Sequence, residues 1–196
     1  ILIDVHREAT FTVVDEAQRE GDMYKWSVDG VSFSGTSFNH TFRATGDHTV
    51  ILRKISVSES SVTVFSGKVN AKYVRREVRE LTDEDREAFL STLAVLYNLN
   101  QDEGEKKYGS DYISMDNLVL VHLELAGNRT CDHLHDGMGF LTSHSALTMM
   151  MEKSLQAVNP AITVPYWDFS IEGELMSQND GDISYMEDSV VFSDDW

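Results

Sequence analysis

The spacing of apolar residues changes near residue 72, and that change puts two kinds of structure into one chain. Before it, runs rich in Val, Ile, Phe, Thr and Tyr cover Ile1–His6, Thr10–Asp15, Met23–Val28, His40–Ala44, His48–Ser56 and Ser60–Ser66. Asp29-Gly30, Gly35, Gly46-Asp47 and Gly67 punctuate them. Strands this short, separated by turn residues, predict a β-sandwich over residues 1–70 with Trp26 as its core aromatic. After the change the period is helical. Thr82 followed by Asp83-Glu84-Asp85 has the form of an N-cap with acids in the first turn. Phe89, Leu93, Leu96 and Tyr97 then fall on one helical face. A second helix is expected over His144–Val158, with Leu147, Met150, Met151, Leu155 and Val158 on one side and Asn159-Pro160 ending it. The Met run 149–151 reads as core filler. Asn117–Leu125 is a short apolar segment, and the polar stretch Asn98–Ser110 reads as a loop. The expected fold class is therefore two domains, an all-β sandwich followed by a mainly α part over residues 72–196.

Charge narrows the functions open to such a chain. The 196 residues carry 33 acids against 16 Lys and Arg, a formal net charge of −17. A protein that binds nucleic acid by neutralising phosphates is excluded, and docking on anionic membranes is disfavoured. No run of 18 apolar residues exists to form a membrane span. The tail from Asp168 to Trp196 holds nine acids (168, 172, 174, 180, 182, 187, 188, 194, 195) and neither Lys nor Arg. It reads as a solvated loop, with Asn179-Asp180-Gly181-Asp182 as a weak calcium-loop pattern.

Compartment rests on few residues. The chain opens at Ile1 without a signal-peptide pattern, the expectation for a processed chain or a fragment. Asn39-His40-Thr41 and Asn128-Arg129-Thr130 are glycosylation sequons, which favour an extracellular, secreted protein with glycans on Asn39 and Asn128. One cysteine, Cys131, rules out a disulfide within the chain.

The histidines carry the chemistry. Four of seven, His122, His133, His135 and His144, lie within 23 residues, whereas His6, His40 and His48 are scattered through strands and read as surface or edge residues. Imidazole is the common ligand for copper and zinc through a neutral ring nitrogen. A His on an apolar segment, one on a loop and one at the start of the next helix can converge on one ion. The bland alternative is a group of exposed histidines before a helix.

Two stretches resemble known families. Tyr24-Lys25-Trp26-Ser27-Val28-Asp29-Gly30, His40-Thr41-Phe42, Gly46 and His48-Thr49-Val50-Ile51-Leu52 resemble the immunoglobulin-like domains of the polycystic-kidney-disease type. That implies an extracellular spacer or adhesion module. His135-Asp136-Gly137-Met138-Gly139-Phe140-Leu141-Thr142-Ser143-His144, a helix, and then Val164-Pro165-Tyr166-Trp167-Asp168-Phe169 resemble the first copper half of the tyrosinase, catechol oxidase and molluscan haemocyanin family. Val74-Arg75-Arg76-Glu77-Val78-Arg79-Glu80-Leu81-Thr82 resembles that family's lead-in, and Ser189–Trp196 a segment on the way to its second copper half.

The second resemblance, over residues 72–196, implies copper ligands at His122, His135 and His144. His135 is preferred because it lies nine residues before His144, but His133 stays open as the second ligand. Many members carry a thioether from a Cys two residues before that ligand. Cys131 is two before His133 and four before His135, so a thioether and a plain thiol both stay open. Asp168 is a candidate for orienting a ligand, and Tyr166 and Trp167 are expected to pack under the site. Ser143 and Ser145 flank His144 where the family usually has Trp and Arg.

The resemblance further implies a phenolic small molecule and O2 as substrates at a paired-copper centre built from six imidazoles. This chain supplies one copper site at most, so the remaining half of the domain, or another protein chain, is an expected partner. An oxygen carrier and a non-catalytic extracellular assembly protein on a degenerate scaffold are the competing readings.

Overall fold

The computed structural model describes residues 1–14, 21–56, 60–127, 130–132, 134–135, 137–177 and 183–193. The chain divides into two compact units, Ile1–Val74 and Arg75–Trp196.

Among its described residues, the first unit has seven strands: β1 (Leu2–Asp4), β2 (Glu8–Thr12), β3 (Met23–Val28), β4 (Val31–Ser34), β5 (Ser37–Thr41), β6 (Gly46–Ser56) and β7 (Ser61–Lys72). Five form one sheet in the order β1-β7-β6-β3-β4, and β2 pairs with β5 in a second. Every pairing is antiparallel except β1 with β7, which is parallel. Alternation explains the core. On β3, Tyr24, Trp26 and Val28 are buried while Met23 and Lys25 face out. Phe11 of β2 and Phe38 of β5 meet Trp26 of β3 at centroid distances of 6.5 and 5.0 Å, so the two sheets face each other across aromatic rings. Trp26 Nε1 donates to the Gly35 carbonyl at 3.0 Å, which satisfies its one polar atom.

Two details of this unit differ from the sequence reading. Strand β4 was not expected, because its only inward apolar residue is Phe33. The turn that makes it a partner of β3 is encoded in Asp29-Gly30, which adopt φ of 50° and 78°, the left-handed pair of a tight hairpin. Strand β7 runs on to Lys72, with Val69 and Ala71 buried, so the first unit ends at Val74 rather than at 70.

The second unit contains α1 (Asp83–Asn98), α2 (Gln101–Tyr108), α3 (Met115–Ala126), α4 (Gly139–Val158) and α5 (Ser170–Ser177). The Thr82 hydroxyl accepts from Asp85 N–H at 3.2 Å, and three acids occupy the first turn of α1. Leu96, Tyr112, Leu118, Leu155 and Ile162 form the buried core. Ser154 on α4 is fully buried, and its hydroxyl both accepts from Ile113 N–H and donates to Ile113 C=O at 2.8 Å, so its polarity is satisfied.

Helix α2 corrects the loop expected over Asn98–Ser110. Its sequence has no apolar face, but Asn100 caps it by accepting from Glu103 N–H at 3.0 Å. Gly104 is required where it packs: a Cβ there would lie 1.9 Å from the buried Tyr112 ring. The tail is corrected in the same way. It holds α5 and two short 3-10 turns, and Glu172 within it is fully buried. The calcium-loop pattern at Asn179–Asp182 lies outside the described residues.

Buried charge ties this tail down. Arg79 donates from Nη1 to Glu172 Oε1, from Nη2 and Nε to the Glu77 carboxylate, and from Nη2 to the Asp168 carbonyl. The Ser189 hydroxyl adds a second donor to Glu172 at 2.6 Å. The backbone of Tyr166 exchanges hydrogen bonds with Arg76 and Val78. The two stretches read as the lead-in and the Pro-Tyr-Trp-Asp segment are thus stitched together.

Candidate metal centre

Two helices and one loop bring three histidines together. His122 lies on α3, four residues after the buried Leu118 and so on the same face. His144 lies on α4 at the opposite end of the face that carries Thr148, Met151 and the buried Leu155. Leu118 and Leu155 share the core while His122 and His144 share the site, so the two helices run in opposite directions. Helix α4 starts at Gly139, five residues earlier than the reading from sequence, which puts His144 in its second turn. His135 comes from the connecting loop, held beside the buried Leu134.

One ring nitrogen from each of His122, His135 and His144 lies within 4.8 Å of the others. The ring centroids form a near-equilateral triangle of 5.2, 5.3 and 5.7 Å. Two of the rings are held by their other nitrogen. His144 Nδ1 lies 2.9 Å from the Phe140 carbonyl, and His135 Nδ1 lies 2.7 Å from Asp132 Oδ2. A carbonyl and a carboxylate can only accept, so each Nδ1 carries the proton and each Nε2 keeps a free lone pair in the neutral ring. That is the tautomer a metal ligand needs. His122 and His144 are half-buried and His135 is exposed, so the centre is open on one side. The donor set of three neutral imidazoles with an open side suits copper or zinc.

Asp132 is the residue that sequence reading missed. Its Oδ1 accepts from Leu134 N–H and His135 N–H, both at 2.9 Å. These backbone hydrogen bonds from the His135 and Leu134 amides, with the one from the His135 ring, hold its carboxyl below the usual range. The signal available was an Asp two and three residues ahead of the amides it caps.

The other candidates fall elsewhere. Asp168 Oδ1 accepts from Ser170 N–H and the Ser170 hydroxyl, at the start of α5. Tyr166 and Trp167 are 53% and 40% exposed rather than packed under the site, and Trp167 stacks edge-on against Phe192 at 5.6 Å. Their segment is fixed by backbone pairing and by Arg79, so burial of the rings is not what places it. Cys131 is exposed. His133 and Asn128 lie outside the described residues. Asn39 sits in β5 with its amide donating to Glu8 and accepting from Thr10.

His48 and His40 of the β unit meet other partners. His48 uses both ring nitrogens, Nδ1 on Asp29 and Nε2 on the Ala44 carbonyl, each at 2.9 Å. These acceptors raise its pKa, with the Asp29 hydrogen bond the largest cause and the Ala44 carbonyl next. His40 packs edge-on against Phe42 with centroids 4.6 Å apart.

Residues 112–194, which contain all three clustered histidines, match the family model of the common central domain of tyrosinase. A tyrosinase-like protein of Caenorhabditis elegans, tyr-3, is 29% identical over 117 residues, covering 60% of this chain and 15% of that protein. A 5,6-dihydroxyindole-2-carboxylic acid oxidase of Carassius auratus is 34% identical over 73 residues, covering 32% of this chain and 14% of that protein. The chain thus spans about one seventh of these relatives' lengths. Among solved structures, a quinoprotein alcohol dehydrogenase-like protein of Bacteroides thetaiotaomicron aligns with 37% of this chain and 17% of its own, at 12% identity and a TM-score of 0.31, too low to carry an argument. The family match and both relatives support the tyrosinase family, and with the donor set they point to copper as the ion.

Proposed function

We propose that this chain carries the first copper half of a type-3 copper oxidoreductase that acts on phenols or catechols with O2 outside the cell. The second copper half comes from outside this chain, as the remainder of the domain or as another protein chain. The observation that carries the reading is the convergence of His122, His135 and His144, with two of the rings already held as Nδ1–H donors. Bound copper would supply the redox chemistry that passes electrons from a phenol or catechol to O2.

The residues of this chain do the holding. His122, His135 and His144 would be the ligands. The Phe140 carbonyl and Asp132 fix the proton on Nδ1 and leave Nε2 to the ion. The Phe140 ring, half exposed and 4.3 Å from the His144 ring, offers an apolar face to an incoming phenolic ring. Helix α3 leaves Val119, Leu120 and Leu123 exposed on one side. An apolar patch there fits a surface that a second half would cover. The Arg79 network ties the tail to the lead-in segment of the same unit.

The preceding β unit fits an Ig-like extracellular module. Its facing sheets, its Trp26 core and the parallel pairing of first and last strands support that likeness.

The second reading is a non-catalytic extracellular assembly protein on the same scaffold. It is favoured by Ser143 and Ser145 in place of the usual neighbours of His144, and by the gathering of only three imidazoles among the described residues. Copper analysis of the purified chain separates the outcomes. One copper per chain, lost in His144→Ala, is expected of the copper reading, whereas equal copper in both proteins refutes the ligand assignment. Oxidation of a catechol when the second half is supplied distinguishes the enzyme from a scaffold that has kept its metal.

A further inference from the structure

Of the three histidines, two have their backbone set by helices and one does not. His122 and His144 ride on α3 and α4, but His135 sits in a loop and is exposed. A loop residue needs some other constraint if its ring is to face two helical partners in one orientation. The loop has two. Leu134 is buried, which anchors the backbone next to His135. Asp132 supplies the second, and it does so with both carboxylate oxygens.

Oδ1 accepts from the amides of Leu134 and His135, closing a turn in which the side chain replaces a backbone acceptor. Oδ2 lies 2.7 Å from His135 Nδ1, a charge-assisted bond at the short end of its range. One planar group therefore fixes the backbone of His135 and the plane of its ring. With Nδ1–H on the carboxylate, the only lone pair of the neutral ring is on Nε2. A carboxylate at this position also makes the ring a stronger donor.

We propose that Asp132 is the positioning residue of this centre, setting both the orientation and the tautomer of His135. The proposal rests on the copper reading for its purpose, but the hold on the ring is a property of the metal-free chain. Asp132→Asn is the informative variant. It keeps Oδ1 as acceptor for the two amides and replaces Oδ2 with an amide that donates, which opposes Nδ1–H. Asp132→Ala removes both.

Long-range proton–nitrogen NMR of the histidine rings in the metal-free full chain, above the titration range of histidine, reads the tautomer directly. His135 is expected as Nδ1–H in wild type and shifted away from that form in Asp132→Asn, with His144 unchanged. Competition of Cu2+ against a chelator, with His144→Ala as the blank for binding elsewhere, is expected to show binding about 10- to 100-fold weaker in Asp132→Asn. An unchanged His135 tautomer in Asp132→Asn overturns the proposal. So does Cu2+ binding that falls only in Asp132→Ala, because the carboxylate would then matter for the turn alone. Should wild type and His144→Ala bind Cu2+ alike, the copper reading fails, while the ring spectra still decide what Asp132 does.

Discussion

Each unit of the molecule pairs a histidine with an aspartate, and the two pairs do opposite things. In the β unit, His48 gives Nδ1 to Asp29 and Nε2 to the Ala44 carbonyl. Both nitrogens are used, the charged ring is satisfied on both sides, and no lone pair is left for a ligand. In the helical unit, His135 gives Nδ1 to Asp132, and its ring lies beside those of His122 and His144 with the Nε2 lone pair left for an ion. A histidine–carboxylate pair is thus a structural clasp or half of a metal site according to what the second nitrogen faces. The helical unit adds a third case. Among its described residues the most buried carboxylate, Glu172, is held by Arg79, whose charge cannot be titrated away in the working range. Burial, the largest influence on that carboxyl, pushes its pKa up, yet Ser189, Trp167 and Arg79 bring it below the usual range.

The contrast can be broken in several ways. The largest effect is expected from Arg79→Met, which leaves Glu172 buried without its cation. Loss of one partner of a buried pair costs about 3–5 kcal/mol, read as a drop in the denaturation midpoint of the helical unit. If the midpoint hardly moves, Glu172 is not held by charge. Next comes copper itself. Free Cu2+ at about a hundred times its dissociation constant should stabilise the fold that binds it by about 2.7 kcal/mol. His48→Gln should respond to Cu2+ as wild type does and His144→Ala should not. A loss of the response in His48→Gln would erase the distinction between the closed and the open pair.

The smallest effect concerns pH. Asp29 and the Ala44 carbonyl raise the pKa of His48 in the folded state above its ordinary 6.5, with Asp47 adding to the same direction. The stability this contributes is complete below the ordinary value and is lost as pH rises through the raised one. Asp29 is exposed, with 39% of its side chain open to solvent, so the pair is worth about 0.2–1 kcal/mol. Unfolding free energies at pH 5.5 and 8.5 should therefore differ more in wild type than in Asp29→Asn. An identical pH difference in the two proteins would remove the clasp.

Much of the organisation was legible in the order of residues, and the misses have physical causes. Alternating Tyr24, Trp26 and Val28 and the helical spacing of Phe89, Leu93 and Leu96 announce their elements because one face of each is buried. Helix α2 was missed because its buried face consists of a glycine: Gly104 is small so that Tyr112 can lie against it. By composition the acidic tail reads as solvated, because composition cannot show that one acid among nine, Glu172, meets an arginine and a serine 93 and 17 residues away.

The sequence by itself determined the two kinds of unit, the residues able to ligate a metal and the resemblance that names copper, because hydrophobic period and donor chemistry are properties of the chain read in order. Which ring nitrogens are free, which aspartate holds His135 and which carboxylate is buried were decided only by the tertiary structure. A hydrogen bond depends on where two atoms meet in space, and spacing along the chain fixes that only within a turn of helix or a tight loop.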